Sequence, residues 1–352
     1  MIQFLIKRLL YGLLVLWGVV TVVFFIFQVL PGDPVSMMMG QRSDLASQRS
    51  LMREYGLDKP LGQQYLHYMN DLSLLSWHER SDKNQVKYDY TELFGNSSGV
   101  LVFKSPYMRR SFTDNRLVSE VLSEGFVRTL WLAVTAMLLA SIFGILLGIW
   151  AALKQNSWLD KLLVSGSILG ISIPSFVSGV LLAFLFAVKL QAFTNLNLFG
   201  YMVEIDPFKG KTLVLKNLFL PALTLGIRPL AIIVQLTRSS VLDVIKEDYI
   251  RTARAKGLSE RVVVFKHVLR NALNPVVTII SGWFASLLAG AFFVEMIFSW
   301  GGLGAVTVQA VFAKNFPLVM GTTLFVAVVF VLVNILVDII YALLDPRIKL
   351  DN

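Results

Sequence analysis

The stretch RSSVLDVIKEDYIRTARAKGLSERVVVFKHVLRNALN, Arg238–Asn274, is a long charge-dense segment set between two apolar runs, and the rest of the chain is read outward from it. From Ser239 to Lys256 good helix formers place Val241, Ile245, Tyr249 and Ala253 four apart on one face. Gly257 then ends the helix, because glycine enters the left-handed conformation that closes helices without steric cost. A second helix starting near Ser259 sets Val262, Phe265, Val268 and Leu269 on its own apolar face. Two amphipathic helices meeting at a glycine make an elbow. An ordinary loop on the inner side of a membrane shares this basic composition, so the order of residues has to separate the two. Ala253, Ala255 and Gly257 are small enough for a partner's backbone to come close, and the flanking Glu247, Asp248, Arg251, Arg254 and Lys256 can fix its register.

Of the 352 residues, 55% are hydrophobic and only 16% are charged, a balance that marks an integral membrane protein. The net charge of +9 collects in loops beside apolar runs and is not interleaved with aromatics, which argues against nucleic acid as a partner. With no cysteine, neither a disulfide framework nor a thiolate metal site is available.

Lys7 and Arg8 precede an uncharged run, Leu9–Leu30, whose 22 residues exceed the core of a cleaved leader and lack a small-residue cleavage site. It reads as an uncleaved first span, closed by Leu30-Pro31-Gly32-Asp33-Pro34, and residues 1–34 form the first segment. Residues 35–126 are a polar segment outside the membrane, in which Leu61, Tyr65, Leu66, Met69 and Leu72 follow helical spacing and predict a helix packed on the bundle. Residues 76–110 show little periodicity. The third segment, 127–349, holds five more spans: Leu130–Leu153, Leu162–Val188, Leu218–Leu236, Val276–Val294 and Pro317–Val337. Gly144 and Gly148 form a small-xxx-small pair suited to close helix packing. Gly170 and Pro174 predict a bend in the next span, and therefore a hinge. Short loops on one side, with the elbow 238–274 and both termini, carry fourteen basic residues against five on the other, so that side is the inner one. The expected architecture is an all-α membrane protein of six transmembrane helices.

Catalytic readings fail on the residues available. His67, His78 and His267 all lie in loops, so no histidine can serve an intramembrane serine nucleophile. His78-Glu79 does not extend to a zinc motif, because Asp82 stands where the second histidine would be. Gly210-Lys211-Thr212 mimics the end of a phosphate loop, yet Ile205 occupies the position of its first glycine. At membrane depth, Arg228 beside Pro229 is costly unless it faces water or a partner. It lines a polar path, or it snorkels to the interface or pairs within the protein, for instance with Glu295. Asn334 and Asp338, one turn apart, are placed to bond neighbouring helices.

The run Glu247-Asp248-Tyr249-Ile250-Arg251-Thr252-Ala253-Arg254-Ala255-Lys256-Gly257-Leu258 resembles the coupling loop of permease subunits in the dipeptide/oligopeptide/nickel branch of ABC importers. The general pattern of those permeases is E-A-A, three residues, Gly, nine residues, Ile, one residue, Leu-Pro. Ala253, Gly257 and Leu269 fit it, and Arg251, Thr252, His267 and Arg270 stand at the other positions, as the peptide branch does. The resemblance extends to Leu30–Pro34, to Gly56–Pro60 and Gln64–Tyr68, and to Glu295–Gly304, which is similar to the pattern E-x-I-F-S-x-x-G-L-G. Residues 76–110 depart from it, as a tolerated surface insertion or a cap over the transport mouth.

The resemblance implies a type I importer permease fold in a bacterial inner membrane, translocating di- or oligopeptides by alternating access. It implies as partners a second permease, two ATPase subunits that bind ATP and magnesium, an external substrate-binding protein and membrane lipid, with no cofactor in this chain. ATPase coupling would fall to Glu247, Asp248, Tyr249, Arg251, Thr252, Ala253, Arg254, Ala255, Lys256 and Gly257; the path or gate reading of Arg228, Pro174 and Glu295 rests on the residues themselves, since the peptide branch is usually uncharged at the position of Arg228. An importer of nickel or another small solute fits the same resemblance. A self-contained secondary transporter would need an ion-coupling site and usually an internal repeat, and neither is legible.

Overall fold

The computed structural model describes residues 2–29, 52, 56, 58–96, 99–206, 208, 210–289 and 291–344. They fall into two compact units, one with Gly125–Ala305 as its main body, the other built from Lys7–Glu124 and Val306–Val328. The expected exit turn Leu30–Pro34 and the tail cations Arg347 and Lys349 lie outside the described residues.

In the second unit, helix α1 (Ile2–Val29) sets Val20 and Phe24 against Tyr68 of α2 (Leu61–Leu72), with Leu324 closing a small core. Phe24 meets Tyr65 and Tyr68 at ring distances of 5.4 and 5.7 Å, and Thr21 Oγ1 shares a 2.7 Å hydrogen bond with Tyr65 Oη. Of the face expected to pack, Tyr65, Met69 and Leu72 do lie against this core, but the fully buried positions of α2 fall beside them. Gln64, Tyr68 and Asp71 are buried, whereas Leu61 and Leu66 are exposed. Polar groups can take that face because they are satisfied there: Gln64 Nε2 donates to the Lys59 carbonyl at 2.8 Å, and Tyr88 Oη donates to Asp71 Oδ1 at 2.9 Å. An apolar-periodicity argument cannot see such bonds.

The aperiodic stretch 76–110 is an ordered small domain. Strands β1 (Leu75–His78), β2 (Thr91–Gly95) and β3 (Val100–Phe103) form an antiparallel sheet in the order β1-β3-β2, with α3 (Asp82–Tyr88) between β1 and β2 in sequence. Ser81 caps α3, its Oγ accepting the Asn84 N–H at 3.3 Å, and Asp89 at φ 45° ends it. Tyr90, Val100 and Val102 make the core.

The first unit begins in α4 (Val118–Leu153) and continues through α5 (Trp158–Ser172), α6 (Ser175–Leu182) with a π-helical extension Ala183–Lys189, and α7 (Gln191–Thr194). A two-stranded hairpin follows, β4 (Val203–Asp206) and β5 (Gly210–Leu213), then α8 (Lys216–Ile245). Gly210-Lys211-Thr212 therefore lies on a strand of a hairpin and does not open a helix, as a phosphate loop must. Gly144 and Gly148 lie against α8 so closely that a Cβ on them would sit 2.7 Å from Ile233 Cγ2 and 2.6 Å from Thr237 Cβ. At the predicted bend, Pro174 supplies no N–H and pushes Ile173 to ψ 126°, so α5 and α6 meet at 109°.

Past α8 come α9 (Asp248–Ala255), α10 (Glu260–Val262), a π-helical turn Val263–Val268, α11 (Leu269–Ala289), α12 (Phe292–Ile297), α13 (Leu303–Phe312) and α14 (Phe316–Leu344). The fifth span was expected to run to Val294. Instead α11 stops at Ala289, and Val294 belongs to the separate short helix α12. Among the described residues five helices are long and apolar enough to cross a membrane, and counting the bent pair α5–α6 as one span gives six. The fold is that of a helical membrane protein carrying two small antiparallel sheets.

Candidate functional site

The elbow is built differently from a single amphipathic helix. α8 ends at Ile245, and Glu247 takes an extended conformation, φ −65° and ψ 145°, before α9 starts. Helix-forming Lys246 and Glu247 give no sign of this break. Burial decides it: Ile250 and Ala253 enter an apolar cluster with Val241, Val263, Val264 and Val268, and tertiary packing overrides local propensity. Tyr249, expected on the inner face, is 42% exposed, and its Oη accepts from Asn271 Nδ2 at 2.8 Å. In the second arm Val268 and Leu269 are buried as expected, but Val262 and Phe265 are exposed and Val263 and Val264 are buried in their place. The π-helical turn explains the shift, since more residues per turn rotate the apolar stripe.

The face left outward holds Asp248, Arg251, Thr252, Arg254, Ala255 and Lys256. Arg251 Nη1 lies 3.3 Å from Asp248 Oδ1, and Thr252 Oγ1 donates to the Asp248 carbonyl at 3.0 Å. Across the glycine, Arg254 grips Glu260 through one guanidinium edge, Nε at 2.8 Å and Nη2 at 3.3 Å, and so ties the two arms together. Gly257 itself has φ +77°, and a Cβ built there would meet nothing within 4 Å. At the base, Arg238 pairs with buried Asp160 through Nε at 2.5 Å and Nη2 at 2.8 Å. Sequence reasoning missed this clamp, treating Arg238 as one more loop charge. The available signal was Ser157-x-x-Asp160, a capping spacing in which Ser157 Oγ accepts the Asp160 N–H at 3.3 Å.

Residues 144–350, which contain this elbow, match the family described as the binding-protein-dependent transport system inner membrane component, and residues 1–133 match its N-terminal counterpart. The chain belongs to that family. The permease is 38% identical to the di/tripeptide transport system permease protein DppB of Pseudomonas aeruginosa (strain UCBPP-PA14), with 99% of each chain covered. It is 36% identical to the glutathione transport system permease protein GsiC of Escherichia coli (strain K12), again over 99% of each. Its fold is shared with the MetNI methionine ABC transporter in inward-facing conformations, at a TM-score of 0.52 and 18% identity, over 64% of this chain and 97% of that one.

The other singled-out residues of the permease do not converge on one site. Glu295 is fully buried and fastens a turn: Thr129 Oγ1 donates to its Oε1 at 2.6 Å, the Ala305 N–H reaches its Oε2 at 3.0 Å, and the Leu303 N–H donates to Thr129 Oγ1 at 2.8 Å. A Cβ on Gly302 or Gly304 would lie 2.4 or 2.9 Å from this carboxyl group, which explains the glycines of the Glu295–Gly304 motif. Arg228 is exposed on α8, 5.9 Å from the ring of Trp283. Glu295, offered as an alternative partner for Arg228, is instead bonded to Thr129 and Ala305. Pro174 sits at the break between α5 and α6. Asn334 donates to the Phe330 carbonyl of its own helix at 2.8 Å, where a bond to a neighbouring helix was expected.

Proposed function

We propose that this permease moves di- or oligopeptides through a bacterial inner membrane by alternating access. It works with a second permease, two ATPase subunits carrying ATP and magnesium, and an external binding protein. Both termini and the elbow face the cytoplasm. Peptide cargo is favoured by the names of DppB and GsiC, which cover the whole chain at more than a third identity. Over nickel there is this further support: among the described residues no group of three or more histidine, aspartate or glutamate side chains could hold a metal ion.

The observation that carries the mechanism is the construction of the elbow. Its inner face is anchored to α8 and α11 through Ile250, Ala253, Val263 and Val268, and its outer face is small and charged. A motor subunit gripping Glu247–Gly257 would move two spans as one piece. Asp160–Arg238 would carry the same displacement to α5. The spans then open alternately to either side, with Arg228 facing the path and Pro174 as a hinge.

The test uses the assembled transporter in proteoliposomes. Asn tolerates the left-handed backbone that Gly257 adopts, so Gly257→Asn preserves the turn while adding bulk where there is open space. The expected result is an unchanged thermal midpoint with ATP-driven peptide uptake down by at least tenfold, the loss from about 1.4 kcal/mol of a broken contact. Full uptake by this variant would rule the elbow out as the coupling element.

A further inference from the structure

The stretch 76–110 and the chain beside it build a cavity of about 900 Å³, at the upper end of the range for small-molecule sites. Its walls come from α2, α3 and residues 107–115. Lys59, Lys83, Lys87, Arg109 and Arg110 line it. Only Asp71 and Asp82 stand against them; Asp71 pairs with Arg109, whose Nε lies 3.7 Å away, and accepts from the Tyr88 hydroxyl, which leaves Lys59, Lys83, Lys87 and Arg110 against Asp82. The cavity thus carries excess positive charge. Tyr88 and Tyr107 form an aromatic wall, with Lys87 Nζ 4.8 and 5.3 Å from their ring centres. One lining residue, Arg109 at φ 66°, holds a left-handed backbone that costs free energy in a residue with a long side chain. Arg110 is held at the wall, its Nη1 donating to the Asn115 carbonyl at 2.8 Å.

The geometry points to a site for the carboxyl end of a short peptide. The Arg110 guanidinium matches a planar carboxylate, Lys87 adds a second positive charge, and the tyrosine wall accepts the terminal side chain. This deepens the reading of the chain as a peptide permease and rests on it: the site would hold cargo at the outer face before entry, and the insertion would be a functional addition.

The experiment titrates the full-length permease in lipid nanodiscs, without nucleotide, with the dipeptide Ala-Phe and with its C-terminal amide, by calorimetry. Ala-Phe should bind at least tenfold more tightly than the amide. Arg110→Gln and Lys87→Gln, both at exposed positions, should each remove most of that difference while leaving the weak binding of the amide unchanged. Lys211→Gln, on β5 of the other unit, should change nothing. Equal binding of acid and amide would overturn the site, as would no binding up to about 10 mM, a free energy below 3 kcal/mol. So would protection of Lys83 from acetylation by an added acidic protein when Ala-Phe gives none. Because no ATP is present, failure here leaves the coupling test at Gly257 standing, and failure there leaves this one standing.

Discussion

At the scale of the residue, the most consequential side chains are polar groups in places where apolar ones are usual. Glu295 accepts from Thr129 and Ala305 with none of its surface exposed. Removing the carboxyl group strands those donors, so Glu295→Ala should cost about 2–4 kcal/mol, one to two unsatisfied buried partners. The unfolding midpoint of the detergent-solubilised chain measures it, and a midpoint unchanged from wild type would show the bonds to be dispensable. A second prediction concerns pH in the small sheet domain. Burial, and then Lys104, pull the His78 imidazole below its ordinary 6.5. Burial, and then Lys87, pull the Lys104 ammonium down to about 8, against the attraction of Asp71. In both cases the folded state disfavours the proton, so the unfolded chain binds more of it and stability rises with pH through each window. The fold should lose protection as pH falls below 6.5 and gain it from about 8 upward. Burial also pushes Tyr68 up to about 12 and Tyr88 upward, which reverses the gain above 10, where tyrosines of the unfolded chain ionise. Amide exchange in Leu75–Phe103 at a series of pH values reads this out. In Lys104→Met the rise from 8 to 10 should vanish, and its persistence would assign that rise to another group.

At the scale of the element, single glycines and prolines were the legible signals, because each has a purely local cause. The pair Gly144 and Gly148 announced close packing, and Pro174 announced the break, without any knowledge of the neighbour. What stayed hidden was set by tertiary context: the split at Glu247, the rotated stripe after Ser259, the polar face of α2, and the sheet in 76–110, whose strands of four or five residues are too short for alternation to show. In the candidate site the elbow's position and its Gly257 turn were legible, whereas the Asp160–Arg238 clamp, formed across 78 residues of sequence, was not. The packing reading predicts opposite signs for one substitution. Gly282 has nothing within 4 Å of a built Cβ, so Gly282→Ala should stabilise α11 by about 0.5–1 kcal/mol through helix propensity. Gly148→Ala gains the same propensity but drives a Cβ to within 2.6 Å of Thr237 and 2.7 Å of the Val234 carbonyl. The resulting overpacking, about 1–3 kcal/mol, should leave it net destabilised. Thermal midpoints of the two variants moving the same way would contradict the close contact of α4 with α8.

At the scale of the whole molecule, the decisive property is which side of the membrane each loop occupies, since the coupling proposal and the cavity proposal need opposite sides. Free-energy arguments favour one orientation: the inner set of short loops holds fourteen basic residues against five in the outer set. The chain contains no cysteine, so a single introduced thiol reports its own location without background. Val86 on α3 is 87% exposed, and the Arg251 side chain at the elbow is 75% exposed, so both positions accept a cysteine and a label without disturbing a core. In intact spheroplasts a membrane-impermeant maleimide should modify Val86→Cys and spare Arg251→Cys, and opening the membrane should expose the second to the same reagent. Were Arg251→Cys labelled first, the elbow would face away from any cytoplasmic ATPase and ATP could not be the energy source through it. Were both labelled in sealed cells, the spans between α3 and α9 would not cross as drawn. The two positions lie on opposite sides of three predicted crossings, α4, the broken α5–α6 pair and α8, so one pair of measurements checks the odd parity on which both proposals depend.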